Sequence, residues 1–139
     1  MMSGDWETEV YGASPLSSLE RVDMGKIFTW IETHLPINGS RIDWAAAQGE
    51  HSHCRFVDEV ELVHAATRAV VRRIDADSGV EHVGDGVSPF GTRFTGEGAD
   101  LIMRELLGIP EHHYFLDEHR SWLVVVSNEG NLDVLDRAT

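Results

Sequence analysis

Lysine is almost missing from this sequence, and basic residues are scarce overall. Lys26 is the only lysine, and 11 basic residues face 24 acidic ones, so the formal net charge is −13 over 139 residues. A chain this acidic repels nucleic acid and anionic membranes and draws basic partners in by electrostatic steering. The composition therefore argues against a nucleic-acid-binding or membrane-surface protein and favours a basic protein as the partner.

Long apolar runs and paired cysteines are also missing. The longest apolar run, from Trp122 to Val126, is far shorter than the ~20 residues of a membrane-spanning helix. Met1 to Glu9 lacks the basic and apolar regions of a secretory signal. A lone cysteine, Cys54, excludes an intramolecular disulfide framework. We expect a cytoplasmic protein of one domain, spanning 1–139, with a loose N-terminal arm over about residues 1–17.

Three segments carry the periodicity of amphipathic helices. The first follows Asp23 and ends before Pro36. The second runs from Asp58 to Ile74, with a predicted apolar stripe of Val60, Val63, Thr67, Val70 and Ile74. The third covers about residues 97–107 and is predicted to end at Gly108 in a left-handed cap.

The last third of the chain has the pattern of strands. Residues 112–117, 121–127 and 131–136 are rich in Val, Leu and aromatics, and the turns between them are short enough to join only antiparallel neighbours. Short extended pieces are expected at 80–83 and 92–94, and a loop at 50–55. The predicted fold class is α+β, with about three helices packed on a C-terminal three-stranded antiparallel meander.

Two segments have the residue types of a chemical site. His51, His53 and Cys54 are zinc ligand types, and His112 or His113 is a candidate to complete the site, but a second ligand pair at metal spacing is missing. A small metal-binding enzyme or sensor is therefore one alternative function. A lone cysteine in such a sequence is more often a small buried hydrophobe.

The glycine-rich segment 84–91 has the composition of a phosphate cradle. It lacks the strand-then-helix frame and the glycine spacing that make such loops bind phosphate. We interpret it as a connector.

The segment from Glu111 to Val126, followed by Asn128–Glu129–Gly130, resembles the C-terminal strands of immunity proteins from bacterial contact-dependent and polymorphic toxin systems. In those proteins an aromatic strand and an acidic turn precede Ser–Trp, an apolar strand and Glu–Gly. The resemblance covers about 25 residues and carries no catalytic residues. It implies a small inhibitor that binds one cognate toxin, and many such toxins are nucleases with basic clefts.

On this hypothesis the chain is not an enzyme, has no cofactor, and binds a toxin or another basic protein through acids, with aromatic anchors from the arm. An acidic inhibitor that mimics nucleic acid remains a further alternative. The candidate partner-binding residues are Glu111, Asp117, Glu118, Glu129, Asp133, Asp136, Trp6 and Tyr11.

Overall fold

The computed structural model describes residues 16–39, 41–75 and 78–137. These residues form a seven-stranded antiparallel sheet with helices on both faces, and a separate hairpin of β2 and β3. The sheet order is β1-β6-β5-β7-β8-β9-β4. The strands are β1 (Glu20–Val22), β2 (Ile37–Asn38), β3 (Arg41–Ile42), β4 (Glu50–Arg55), β5 (Val80–Gly84), β6 (Gly91–Phe94), β7 (His113–Asp117), β8 (Trp122–Val126) and β9 (Asn131–Asp136). The helices are α1 (Met24–His34), α2 (Glu59–Val71) and α3 (Ala99–Leu107), and short 3-10 turns lie at Leu16–Ser18 and Trp44–Ala46.

The α+β class and the three helices are confirmed, but the sheet is larger than predicted. β7, β8 and β9 do form the expected meander, at the centre of the sheet rather than as the whole of it. β4 joins the meander by pairing with β9 along its full length, from Glu50 opposite Asp136 to Arg55 opposite Asn131. The two paired strands lie about 80 residues apart in sequence, so no local sequence pattern predicts that they pair.

Helices α2 and α3 cover one face of the sheet. Asp58 caps α2 by accepting a hydrogen bond from the Val60 amide, at 2.8 Å. The buried stripe of α2 differs from the predicted one. Val60 is 65% exposed, and Leu62 and Ala66 face the core in its place. Gly108 ends α3 with φ of −72°, so the predicted left-handed cap is wrong.

Helix α1 covers part of the opposite face. Asp23 caps it, because its carboxylate accepts a hydrogen bond from the Lys26 amide, and its bounds agree with the predicted ones. Ile27 and Ile31 pack against the sheet in a second core cluster. The middle strand of the meander, β8, is therefore covered on both sides. Within the described part of the chain, residues of β4 and of the first half of β9 line an open groove on this face.

The prediction of a loop at residues 50–55 is wrong, because this segment is β4. All six of its residues are exposed, including Cys54, which is not the buried hydrophobe expected from the sequence. No helix in the described ranges is long and apolar enough to cross a lipid bilayer.

Candidate binding groove

An open groove of about 770 Å³ lies beside α1 on the α1 face of the sheet. Its floor comes from β4, β9 and β8, and its walls come from the β2–β3 hairpin and the ends of β7 and β5. Its volume is within the range of about 300–1,000 Å³ usual for ligand pockets. The groove combines histidines, carboxylates and two aromatic side chains.

The centre of the groove is a histidine held from two sides. His51 Nε2 donates a hydrogen bond to the Asp133 carboxylate at 2.8 Å, since a carboxylate only accepts. The Trp44 indole stacks on the His51 ring with a centroid distance of 4.7 Å and an interplanar angle of 1°. Asp133 is 7% exposed, so His51 satisfies a largely buried acid while Trp44 fixes the ring.

A second chain of hydrogen bonds runs beside the first. His53 Nε2 donates to the Asn131 side-chain oxygen at 3.0 Å, and Asn131 Nδ2 donates to the Ser127 hydroxyl at 3.2 Å. Residues 51 and 53 share a face of β4, and residues 131 and 133 share a face of β9, because strand side chains alternate. The strand geometry therefore places two hydrogen-bonded pairs, His51 with Asp133 and His53 with Asn131, side by side along the floor of the groove.

The far wall is built by a reciprocal contact between the β5 and β7 ends. The His112 amide donates to the Asp85 carboxylate at 3.0 Å, and the Asp85 amide donates to the His112 carbonyl at 3.2 Å. His112 Nδ1 accepts from the Asn128 amide at 2.8 Å, so its remaining ring N–H is on Nε2. Burial, with the Asp85 charge as a second cause, raises the pKa of Tyr114 above its ordinary value.

The groove carries more negative than positive fixed charge. Asp85, Glu129 and Asp133 line it, and among the described lining residues Arg41 is the only Lys or Arg. The aromatic walls Trp44 and Tyr114 add faces that attract cations. This lining is suited to a cationic group and unsuited to a phosphate.

Glu111, which was predicted to bind a partner at the surface, is instead buried. It is 6% exposed, and its carboxylate accepts hydrogen bonds from the amides of Gly86, Val87 and Ser88 at 2.6–3.0 Å and from the Ser88 hydroxyl. Burial raises its pKa, but these hydrogen bonds together lower it more, so the pKa of Glu111 is below its ordinary value. The glycine-rich segment is therefore an anion cradle, and its occupant is a carboxylate of the same chain.

Three further predicted acids are also satisfied within the molecule. Asp117 is buried and accepts from the Ser121 amide and hydroxyl, both at 2.6 Å. Glu118 binds Arg93 at 2.6 Å, and Asp136 makes a two-pronged pair with Arg73 at 2.7 and 2.8 Å. The hydrogen bonds from these arginines lower the pKa of both carboxylates.

Only one of the six acids stays uncommitted. In the described part of the chain, the Glu129 carboxylate has no hydrogen bond or ion pair, and Glu129 is exposed at the mouth of the groove. Asp133 also lines this groove, where its carboxylate accepts a hydrogen bond from His51. Trp6 and Tyr11, the predicted anchors, lie outside the described residues.

The predicted metal set does not converge. His51 and His53 face the groove, whereas Cys54 is on the opposite face of β4 because successive strand residues alternate. His112 lines the groove, but His113 is buried beneath α3 and bonds to His82 and to the Ile109 carbonyl. Across residues 16–39, 41–75 and 78–137, no three His, Cys, Asp or Glu side chains are placed to hold a metal ion.

Sequence reasoning missed Asp85 as a groove residue and placed His51 and His53 in a loop. One signal was present: His51 and His53 are two residues apart, which is the period of a strand with both rings on one face. No protein-family model matches the chain, and neither the curated proteins nor the solved structures contain a match to it.

Proposed function

We propose that this chain is an immunity-type inhibitor that binds one basic protein domain, and that the groove receives a lysine or arginine side chain of that partner. The observation that carries the proposal is the charge of the groove, whose described lining sets three carboxylates and one arginine between two aromatic walls. The toxin identity of the partner rests on the sequence resemblance and on the net charge of −13.

Two kinds of contact would stabilise a basic side chain bound at this site. The Trp44 and Tyr114 rings offer cation–π contact, which contributes roughly 0.5–2 kcal/mol depending on desolvation. Asp85 and Glu129 are exposed and able to approach the cation, while the Asp133 carboxylate accepts a hydrogen bond from His51. A basic residue from the partner's cleft that is buried in the groove would no longer be available to bind the partner's own anionic substrate.

The test neutralises the two exposed groove acids together. In the D85N/E129Q variant, the introduced asparagine keeps the side-chain oxygen that accepts from the His112 amide, so the wall is expected to persist. The matched control is E97Q/E105Q, which removes the same charge from two exposed positions next to and on α3, on the other side of the sheet.

Each protein is immobilised and exposed to lysate of the source cells in about 0.5 M salt, where long-range attraction is screened. The retained protein is identified, expressed and titrated at about 0.15 M salt. We expect one basic protein held at near-equal stoichiometry by the wild type and the control, with affinity about tenfold or more lower for D85N/E129Q, since two charge contacts at roughly 1 kcal/mol each are lost. Equal affinity of all three proteins, or retention of no single partner, would contradict the proposal.

A further inference from the structure

We infer that the outer edge of β4 accepts an extended basic segment of the partner as an added strand, which lengthens the seven-stranded sheet by one. This inference rests on the proposed function and specifies how the partner is held. Its basis is the backbone of β4 and not the side chains of the groove.

Among the described residues, β4 is a regular edge strand that pairs only with β9. Its six residues pair one-to-one with β9 without a bulge, and all six are exposed. The opposite edge of the sheet, β1, has only three residues. Proteins usually protect long edge strands with bulges, prolines or covering elements, because open edges template pairing with other chains. No proline interrupts β4, so it is the edge on which a further strand can pair.

The hydrogen-bond alternation identifies the open groups. The Phe56 amide donates to the Gly130 carbonyl at 2.9 Å, so residue 56 points toward β9. In an antiparallel ladder, residues 54, 52 and 50 then also point toward β9, and His51, His53 and Arg55 direct their amides and carbonyls outward. The side chain of His51 is only 24% exposed although the residue as a whole is exposed, which is consistent with an uncovered main chain.

The surroundings of the edge select a basic segment. Glu50 is exposed at one end of β4, and Asp58, Glu59 and Glu61 are exposed just beyond the other. Val57 and Val60 are 101% and 65% exposed, which supplies apolar contact for alternate side chains of the incoming strand. A second copy of this chain is a poor occupant because each copy carries a net charge of −13.

The probe is a synthetic decapeptide of alternating valine and lysine. Its control is a decapeptide of five lysines and five prolines with prolines at both odd and even positions, which has the same charge but lacks backbone donors on both edges of the extended chain. Amide hydrogen exchange is measured on the full chain with and without each peptide. In the free chain we expect the amides of His51, His53 and Arg55 to exchange fast and those of Ser52 and Cys54 to be protected. The valine–lysine peptide is expected to protect the three outward amides, with Kd below about 100 µM, and the proline–lysine peptide to leave them unprotected.

A variant pair separates backbone from side chain. H53P removes an outward N–H that β9 does not use, so the ladder to β9 is expected to persist, while H53A removes the same side chain and keeps the N–H. Affinity for the valine–lysine peptide should be at least tenfold weaker for H53P than for H53A. If H53P fails to fold, the two peptides on the wild type still decide the question.

Four results would overturn the inference: protection of the outward amides in the free chain, equal protection by both peptides, equal affinity of H53P and H53A, or a dimer of the free chain in sedimentation. Failure of the strand-addition inference can be distinguished from failure of the proposed function. A natural partner that loses affinity with D85N/E129Q but binds H53P and H53A equally would leave the groove in place and remove only the strand addition.

Discussion

Replacing Glu111 by glutamine tests whether the glycine-rich loop is held by a buried negative charge. In the wild type, one carboxylate oxygen accepts from three backbone amides and the other accepts from the Ser88 hydroxyl. Glutamine keeps the shape and one carbonyl oxygen but removes the charge. Hydrogen bonds to charged groups contribute about 1.5–3 kcal/mol each and neutral ones about 0.5–1.5, so four weakened bonds cost roughly 4 kcal/mol. The smaller desolvation of a neutral amide offsets part of this, and we expect E111Q to lower the free energy of unfolding by about 2–3 kcal/mol at pH 7.

The same argument fixes the sign of the pH dependence. The pKa of Glu111 is lower in the folded chain than its ordinary value of 4.5, so the folded state prefers the ionised form. The stabilisation is therefore complete above about pH 4.5 and is lost as the pH falls through the folded-state pKa. Below that pH the wild-type side chain is neutral, like glutamine, and the two proteins should converge in stability.

The assay is urea unfolding of both proteins at a series of pH values from 7 to 3. E105Q is the control, since Glu105 is an exposed acid on α3, and its unfolding should match the wild type within about 0.5 kcal/mol. A loss below about 0.5 kcal/mol at pH 7 for E111Q, or a loss that is unchanged at acid pH, would refute the cradle argument.

Two further predictions concern the interior and the β4 ladder. His82 and His113 are buried and bonded to each other at 2.9 Å, and burial is the main cause that lowers the pKa of both, with His82 well below 6.5. Because the unfolded chain then binds more protons, stability should fall as the pH drops below 6.5; H82Q should flatten this loss in urea titrations, and H64Q, at an exposed position, should not. Gly130 has φ of +96° and an added Cβ would lie 2.4 Å from the Phe56 carbonyl oxygen, whereas Gly39 at φ of +69° has open space. G130A should therefore destabilise by more than about 2 kcal/mol and expose the Phe56 amide to exchange, while G39A should cost only about 1 kcal/mol; equal costs would show that the contact with Phe56 is relieved by small shifts.

Local patterns were sufficient for the helices and for the strands with neighbours close in sequence. Asp23 and Asp58 stand where the two periodic segments begin and cap α1 and α2, because capping and helical periodicity depend on residues three or four apart. The meander of β7, β8 and β9 follows from short turns, which allow only antiparallel neighbours. The sequence by itself also determined the acidic balance of the chain, since charge is a sum over residues.

Only the tertiary structure decided which of the acidic side chains are free to contact a partner. Glu111, Asp117, Glu118 and Asp136 look alike in sequence, yet each is satisfied by groups between 4 and 63 residues away, and Glu129 is not. The groove likewise depends on β4 pairing with β9, which brings His51 to Asp133 across 82 residues. Such contacts are set by packing over the whole sheet, so neither residue type nor local spacing distinguishes a buried internal carboxylate from one that faces a partner.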